Sequence, residues 1–544
     1  MKLPVGGWCV LAPTLTLAPY ILALPTDICD KDFQKRCSDL AQTFRPDNVE
    51  VLISEFLPKG TNWTDIPITH PSCVYTRTGA IFQSDGCRLK LNISTSATSK
   101  VITEIILPVD WKEKGKRIAT HGNGGLGGCV DFGGLAYTSS LGFVSVATNN
   151  GHDGNVGVYF LNNPEVLKDF VYRSIVVATE VAKKAALSFY GEPNKKSYYT
   201  GCSTGGRQGL KAAQDFPDLF DGILAGAAAS DFLDLVGAGG RLYGLVGRNN
   251  TSSYLNAEQW KWVHESILKQ CDGIDGVIDG VIEDPMKCKP RFESLACEGS
   301  GKCLSTTQVA ALNQVYQPFY GLNGELLYPR MQPGAEIAFG EALITFGPNM
   351  IVDWFRYVVT NDSTWDFDRD WNLENFGPMK AQDPFGVSTW NPDLSKLRKT
   401  GHKLITYHGL MDESITSENS YRYYDYVSKT MRLSPNKLDE FYRFFPISGL
   451  SHCGSGDGAW YIGGAGQPGL AKSITGQQFD PKGGVLMDLV RWVENGIAPQ
   501  TLAGRSIRPG SKESQMVKSH CKYPLKNKYV GSGDPNLGES WRCE

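Results

Sequence analysis

Lys196-Ser197-Tyr198-Tyr199-Thr200-Gly201-Cys202-Ser203-Thr204-Gly205-Gly206-Arg207 is the stretch that decides the fold. Lys196–Thr200 ends in β-favouring residues and reads as a strand, and Arg207–Phe216 reads as a helix. Between them Gly201-Cys202-Ser203-Thr204-Gly205 fits Gly-x-Ser-x-Gly, a serine carried on a sharp strand-to-helix turn. Such a turn is strained, and side chains on its flanking positions would clash, so glycine stands there. The turn exposes the serine hydroxyl, and the helix N-terminus behind it favours negative charge at the reacting centre. Strand, turn and helix in this order predict an α/β-hydrolase fold with a mostly parallel sheet.

The rhythm around the turn agrees. Val101–Val109, Lys116–Thr120 and Phe143–Asn149 read as strands. Asn163-Pro164-Glu165 opens a helix, with Asn as cap and Pro in the first helical position. Its apolar stripe is expected to run through Val166, Phe170, Ile175, Val181 and Leu187, with Gly191 as the stop. Strands separated by helices of this length imply a parallel sheet covered on both faces. The alternation blurs after Ser230 and returns with strands at Lys403–Tyr407 and Phe441–Pro446. The predicted organisation is therefore a leader over 1–24, a hydrolase domain over 25–229 and 391–544, and a large lid insertion over 230–390. Trp354, Phe355, Tyr357, Trp365, Phe367 and Trp371 crowd one part of the insertion and are expected to form its core in the main.

A serine hydroxyl is a poor nucleophile near neutral pH and needs a general base. In this fold the acid and then the histidine follow the serine, each on a loop after a late strand. Asp412 follows Lys403–Tyr407 and His452 follows Phe441–Pro446, so Ser203, Asp412 and His452 are the expected triad. Glu413 competes with Asp412, and spacing does not separate them. His121 and His152 precede the serine, His402 precedes a strand, His264 lies in the insertion and His520 near the end. Cys202 adjoins Ser203 and Cys453 adjoins His452, so a working triad would bring the two thiols near disulfide distance. Gly122–Gly128 follows a strand ahead of the nucleophile. Glycines there let backbone N–H groups approach an oxyanion, which assigns the oxyanion hole to Gly124 or Gly125 with Thr204.

The apolar run Trp8–Leu24 after Lys2 reads as an export leader, cleaved near Ala23 ahead of Thr26-Asp27. No other run reaches about 18 apolar residues, so a soluble, extracellular mature chain is expected. Of 14 cysteines Cys9 lies in the leader, and the odd remainder leaves one thiol unpaired within the chain. Asn62, Asn92, Asn249, Asn250 and Asn361 open Asn-x-Ser/Thr sequons. The formal net charge is −3 with no basic run, so neither nucleic acid nor an anionic membrane is expected as partner.

Cys202-Ser203, Asp412 and His452-Cys453 resemble the Cys-Ser/Asp/His-Cys arrangement of the tannase and feruloyl esterase family of fungi. Thr120-His121-Gly122-Asn123-Gly124-Gly125-Leu126-Gly127-Gly128-Cys129, Asn149-Asn150-Gly151-His152 and Gly201–Gly209 resemble its feruloyl esterase B branch, and the likeness runs from about Phe33 to the C-terminus. It implies an α/β-hydrolase with a lid that releases ferulic or related acids from plant cell-wall polysaccharide such as xylan, with no organic cofactor. The alternatives are a tannase cleaving galloyl esters and a non-catalytic secreted glycan-binding protein, acting as monomer or homodimer. Cys271-Asp272-Gly273-Ile274-Asp275-Gly276-Val277-Ile278-Asp279-Gly280-Val281 crowds three carboxylates into one loop without EF-hand spacing. Composition leaves a cation site and a plain acidic loop equally open. The resemblance implies structural Ca²⁺ held by Asp272, Asp275 and Asp279 side chains with Val277 and Val281 carbonyls. It also implies bridges Cys37–Cys87, Cys73–Cys129, Cys202–Cys453, Cys271–Cys288, Cys297–Cys303 and Cys521–Cys543, which leaves Cys29 alone.

Overall fold

The computed structural model describes residues 27–297, 302–345, 347–475, 483–507 and 516–544. The expected leader, with Cys9, lies outside them. Seven strands come first: β1 (Val49–Leu57), β2 (Gly86–Ser94), β3 (Lys100–Pro108), β4 (Arg117–His121), β5 (Val144–Thr148), β6 (Lys196–Cys202) and β7 (Gly222–Gly226). The short pair β8 (Phe319–Tyr320) and β9 (Leu326–Tyr328) stands apart, before β10 (Lys403–Gly409) and β11 (Tyr442–Ile447). Nine of these make one sheet in the order β1-β2-β3-β5-β4-β6-β7-β10-β11.

The sheet is parallel from β5 to β11, but β1, β2, β3 and β5 pair antiparallel. The sheet is thus mostly parallel, as expected, and its antiparallel end lies where chain too short for a crossover helix joins β2 to β3. Neighbouring residues along the central strands alternate between two cores. Tyr199, Ile223, Leu404 and Phe444 enter one with the helices Thr204–Asp215 and Glu418–Met431. Tyr198, Leu224, Ile405 and Phe445 enter the other with Val485–Asn495. All eight are 0% exposed. A two-residue period with both faces apolar is what a doubly covered sheet requires.

Asn163 caps the helix Pro164–Lys168, accepting from the Val166 N–H. The helix then passes through a π turn, Asp169–Arg173, continues as Ser174–Tyr190 and stops at Gly191 with φ 76°. Val166, Phe170, Ile175 and Val181 are buried, whereas Leu187, expected on the same stripe, is 49% exposed. Leu187 lies six residues beyond Val181 and so on the outer side, while Ala185 and Phe189, at four-residue steps, face inward.

Among the described residues, 230–390 contribute no strand to the large sheet and are mainly helical. Part of this insertion has a core of its own, including Trp260, Val263, Ile267, Phe292 and Leu312. The aromatic cluster is different from expectation. Trp354, Phe355, Trp365 and Phe367 are buried, with Tyr357 and Trp371 packed alongside, but Leu126, Phe160 and Phe170 share that core. Trp354 lies 4.7 Å from Phe232 and 6.2 Å from Phe170, ring to ring. The cluster is a seam joining the insertion to the sheet-bearing part. Two hairpins close the chain, β12 (Thr501–Arg505) with β13 (Val517–Cys521) and β14 (Asn527–Tyr529) with β15 (Trp541–Cys543).

Candidate active site

The parallel strands β6, β7, β10 and β11 bring their C-terminal ends to one edge, and the loops there carry the expected residues. Ser203 sits between β6 and the helix Thr204–Asp215 with φ 64° and ψ −124°, a conformation costing about 1–3 kcal/mol that its surroundings must hold. They do so through the backbone. The Ser203 N–H donates to Gly226 O at 3.1 Å, and its carbonyl accepts from Arg207 and Ala229, each at 3.0 Å. A Cβ on Gly201 would stand 2.7 Å from the Gly205 carbonyl, and one on Gly205 2.9 Å from Asn123 O, so the turn admits only glycine at both places.

The loops after β10 and β11 bring Asp412 and His452 together. His452 Nδ1 lies 2.9 Å from Asp412 Oδ2. The Asp412 carboxylate is 1% exposed, and its other oxygen accepts from the Ser414 and Ile415 N–H groups, both at 2.8 Å. Glu413 instead accepts from the His452 backbone N–H at 3.0 Å, so the two neighbouring acids divide ring and backbone between them. Burial opposes charge on His452, but the Asp412 carboxylate outweighs it and raises the imidazole to about 9. Burial likewise opposes charge on Asp412, and the adjoining His452 and His408 rings hold it well below the usual carboxylate range. Burial and the Asp412 charge push Glu413 up.

Cys202 and Cys453 form a disulfide with Cα atoms 5.9 Å apart, tying the residue before Ser203 to the residue after His452. Among the described residues Ser203 Oγ makes no hydrogen bond to the His452 ring, whose Nδ1 is taken by Asp412. The other five disulfides join Cys37 to Cys87, Cys73 to Cys129, Cys271 to Cys288, Cys297 to Cys303 and Cys521 to Cys543. These are the pairs the family resemblance implies.

The glycine-rich loop lies against the turn. Thr204 Oγ1 donates to Gly125 O at 2.6 Å, and Asn123 N–H donates to Gln208 Oε1 at 3.1 Å. Asn123 also donates from its side chain to Cys129 O and Thr148 O, and the Leu126 N–H donates to Asn155. Among the described residues the N–H groups of Gly124, Gly125 and Thr204 have no acceptor, which leaves them available to a developing oxyanion.

Other histidines are occupied away from Ser203. His121 is paired with Thr138, and burial lowers it to about 3. His152, His402 and His520 meet the carbonyls of Leu126, Pro217 and Ala459, and His264 meets Glu336. Two supporting groups escaped the sequence reading. His408, at the end of β10, contacts Asp412. Gln332, from the insertion, accepts from Thr416 and Ser417 on the Asp412 loop. Only a histidine four residues before the acid hinted at the first. Nothing local marks a glutamine more than 80 residues away.

The acidic loop follows the helix Ala257–Cys271. Asp272 accepts from Asp279 and Gly280 N–H groups, Asp275 from Val277, and Asp279 from Val281. Lys518 Nζ stands 3.2 Å from Asp279. Among the described residues no three His, Cys, Asp or Glu side chains converge as a metal-holding group. The carbonyls of the buried Val277 and Val281 nevertheless accept no hydrogen bond among the described residues. Burial, with Asp279 and Asp272 adding to it, pushes Asp275 up to about 6. Orphaned carbonyls beside crowded carboxylates are the oxygen donors a hard cation takes, so the residues fit Ca²⁺ in kind.

Of the sequon asparagines, Asn62, Asn249, Asn250 and Asn361 are exposed, and Asn92 is half-buried in β2. Among the described residues no helix is long and apolar enough to cross a membrane.

Residues 87–544 match the family model described as tannase and feruloyl esterase. The chain is 41% identical over 539 residues to a "Probable feruloyl esterase B-2" of Neosartorya fischeri, covering 98% of this chain and 99% of that one. It is 43% identical over 520 residues to a "Probable feruloyl esterase B" of Aspergillus clavatus, covering 94% and 96%. The crystal structure of feruloyl esterase B from Aspergillus oryzae superposes with a TM-score of 0.86 at 41% identity, covering 94% of this chain and all of that one. The tannin acyl hydrolase of Aspergillus niger shares the fold, with a TM-score of 0.69 at 19% identity over 94% of each chain. With its model matched over most of the chain and such relatives along nearly its full length, this protein belongs to the tannase and feruloyl esterase family.

Proposed function

We propose that this chain is a secreted serine carboxylesterase that frees ferulic and related hydroxycinnamic acids from esters of plant cell-wall polysaccharides such as xylan. One observation carries the chemistry. The buried Asp412 carboxylate stands 2.9 Å from His452 Nδ1, on a loop whose next residue is bridged to the neighbour of a strained Ser203. The substrate class is supported by relatives named feruloyl esterase B.

In this reading Ser203 Oγ attacks the ester carbonyl carbon while His452 Nε2 takes its proton. Asp412 holds the ring with its hydrogen on Nδ1 and stabilises the imidazolium, in keeping with the raised His452. The Thr204 N–H and that of Gly124 or Gly125 receive the oxyanion. His452 returns the proton to the departing alcohol. Water, activated by the same ring, then releases the aromatic acid from Ser203.

The insertion over 230–390 serves as a lid, and its acidic loop takes Ca²⁺ through Asp272, Asp275, Asp279, Val277 and Val281. The ion's part there is structural, neutralising carboxylates that otherwise repel. The disulfides and the apolar leader support export, with glycans on the exposed sequons.

The test is release of ferulate from methyl ferulate and of gallate from methyl gallate, by the protein and its Ser203→Ala variant side by side. Ferulate release that falls by at least about 10³-fold in the variant is the expected result. Gallate release alone would move the substrate to galloyl esters. Equal, negligible turnover by both proteins on both esters would overturn the reading in favour of a glycan-binding protein.

A further inference from the structure

The Asp412 carboxylate carries a second imidazole. His408 is 0% exposed, and its Nε2 lies 3.1 Å from Asp412 Oδ2, the same oxygen that faces His452. The same nitrogen is 2.8 Å from the carbonyl oxygen of Ile415. A carbonyl only accepts, so Nε2 bears the hydrogen and donates in a fork to Ile415 and Asp412. On the other side Nδ1 lies 2.7 Å from Ser420 Oγ, whose hydroxyl donates to it. With its hydrogen on Nε2 the ring therefore satisfies every partner it meets, as a fully buried ring must.

Asp412 thus sits in a complete cage. Two backbone N–H groups hold Oδ1 and two imidazoles hold Oδ2. The cage is built by three elements: His408 ends β10, Ser420 lies in the helix Glu418–Met431, and the Asp412 loop runs between them.

We propose that His408 is a positioning residue of the esterase. By donating to the Asp412 oxygen that His452 also uses, it fixes the carboxylate's rotation and shares its negative charge. The inference rests on the reading of Ser203, His452 and Asp412 as the reacting set. Its physical content is a competition. Two donors on one oxygen each receive less of its charge than one donor alone, so His408 tempers the hold of Asp412 on the His452 ring. Without His408 the carboxylate loses one of the four donors that fix its rotation, and the charge left on Oδ2 falls wholly to His452. The other ionisable groups facing this cluster are Glu413, beside His452, and Tyr328, which comes from the insertion and feels the Asp412 charge. Neither hydrogen-bonds the Asp412 carboxylate.

The experiment compares wild type, His408→Leu, His408→Gln, Ser420→Ala and Ser203→Ala on methyl ferulate, with kcat and KM separated and kcat/KM followed against pH. Active sites are counted with a serine-reactive phosphonate, so that loss of folded protein is divided out. His408→Leu is expected to lower kcat per active site by about 10- to 100-fold with KM changed less than about twofold. The acid limb of its profile should move to higher pH. His408→Gln, which keeps a donor, should recover most of the kcat. If His408→Leu does not fold, Ser420→Ala carries the test, with a smaller fall in kcat at unchanged KM. Unchanged kcat per site and an unmoved pH profile in the variant that folds would overturn the proposal. If that result came with a dead Ser203→Ala variant, the triad reading would survive. An active Ser203→Ala variant would overturn both.

Discussion

At the scale of single residues, the pairing of His452 with Asp412 controls how the protein responds to pH. A general base works only when neutral, and His452, the base in the proposed mechanism, is raised to about 9 from an ordinary value near 6.5. Two consequences follow, with opposite signs. Stability from the charged pair is fully present below about pH 6.5 and is lost as pH rises through about 9. Over the same interval kcat/KM should climb, because the ring sheds its proton. Asp412→Asn removes the charge that raises the ring, so the limb should fall back toward 6.5, while kcat drops by about 10³–10⁴-fold because the wrong tautomer is held. A pH–rate profile of both proteins checks this, and a limb that stays put would show that another group governs it. The roles of Asp412 and Glu413 could not be separated by spacing, since adjacent residues on one loop are equally placed in sequence. Their contacts separate them, because side chains one residue apart leave the backbone in different directions.

At the scale of elements, the serine turn and the histidine loop are locked by a bridge between residues 251 apart. Closing so long a loop stabilises the fold by about 5 kcal/mol in the loop-entropy model. Replacing Cys202 and Cys453 together with Ser should therefore lower the unfolding free energy by several kcal/mol in chemical denaturation. It should also reduce kcat more than KM, since the bridge ties together the turn and the loop that carry the proposed nucleophile and base. Stability unchanged within about 1 kcal/mol would mean that the loops are held by their hydrogen bonds alone. The elements themselves were legible to different degrees. Asn163, Pro164 and Gly191 announce their helix because capping and stopping are local chemistry. The π turn at Asp169–Arg173 is not announced. It depends on Asp169 being buried against Ser99 and Thr95 of another segment and on Arg207 reaching the Phe170 and Val171 carbonyls. Gly222–Gly226 is equally silent in sequence, and β7 forms because it is flanked on both sides by β6 and β10.

At the scale of the whole molecule, the insertion is joined to the sheet-bearing part by an aromatic seam around Trp354 and by Gln332 on the Asp412 loop. Lys518, on β13, stands beside Asp279, so the acidic loop also touches the C-terminal hairpins. If that loop takes Ca²⁺, removing the ion leaves Asp272, Asp275 and Asp279 repelling one another at this junction. Treatment with a chelator should then lower the melting temperature by several degrees, and added Ca²⁺ should restore it. Calorimetry before and after chelation tests this, and an unmoved transition would mean that Lys518 alone balances the carboxylates.

The strand–turn–helix around Ser203, the chain order of Ser203, Asp412 and His452, and a sheet covered on both faces are all legible in the sequence. Each is a matter of local backbone chemistry or of a short period, which neighbouring residues carry among themselves. The antiparallel end of the sheet, the division of labour between Asp412 and Glu413, the His408 ring on the acid, and the seam that the insertion shares with Phe160 and Phe170 emerge only on folding. Those depend on which distant surfaces meet, and contacts between residues far apart in the chain leave no periodic mark on either partner.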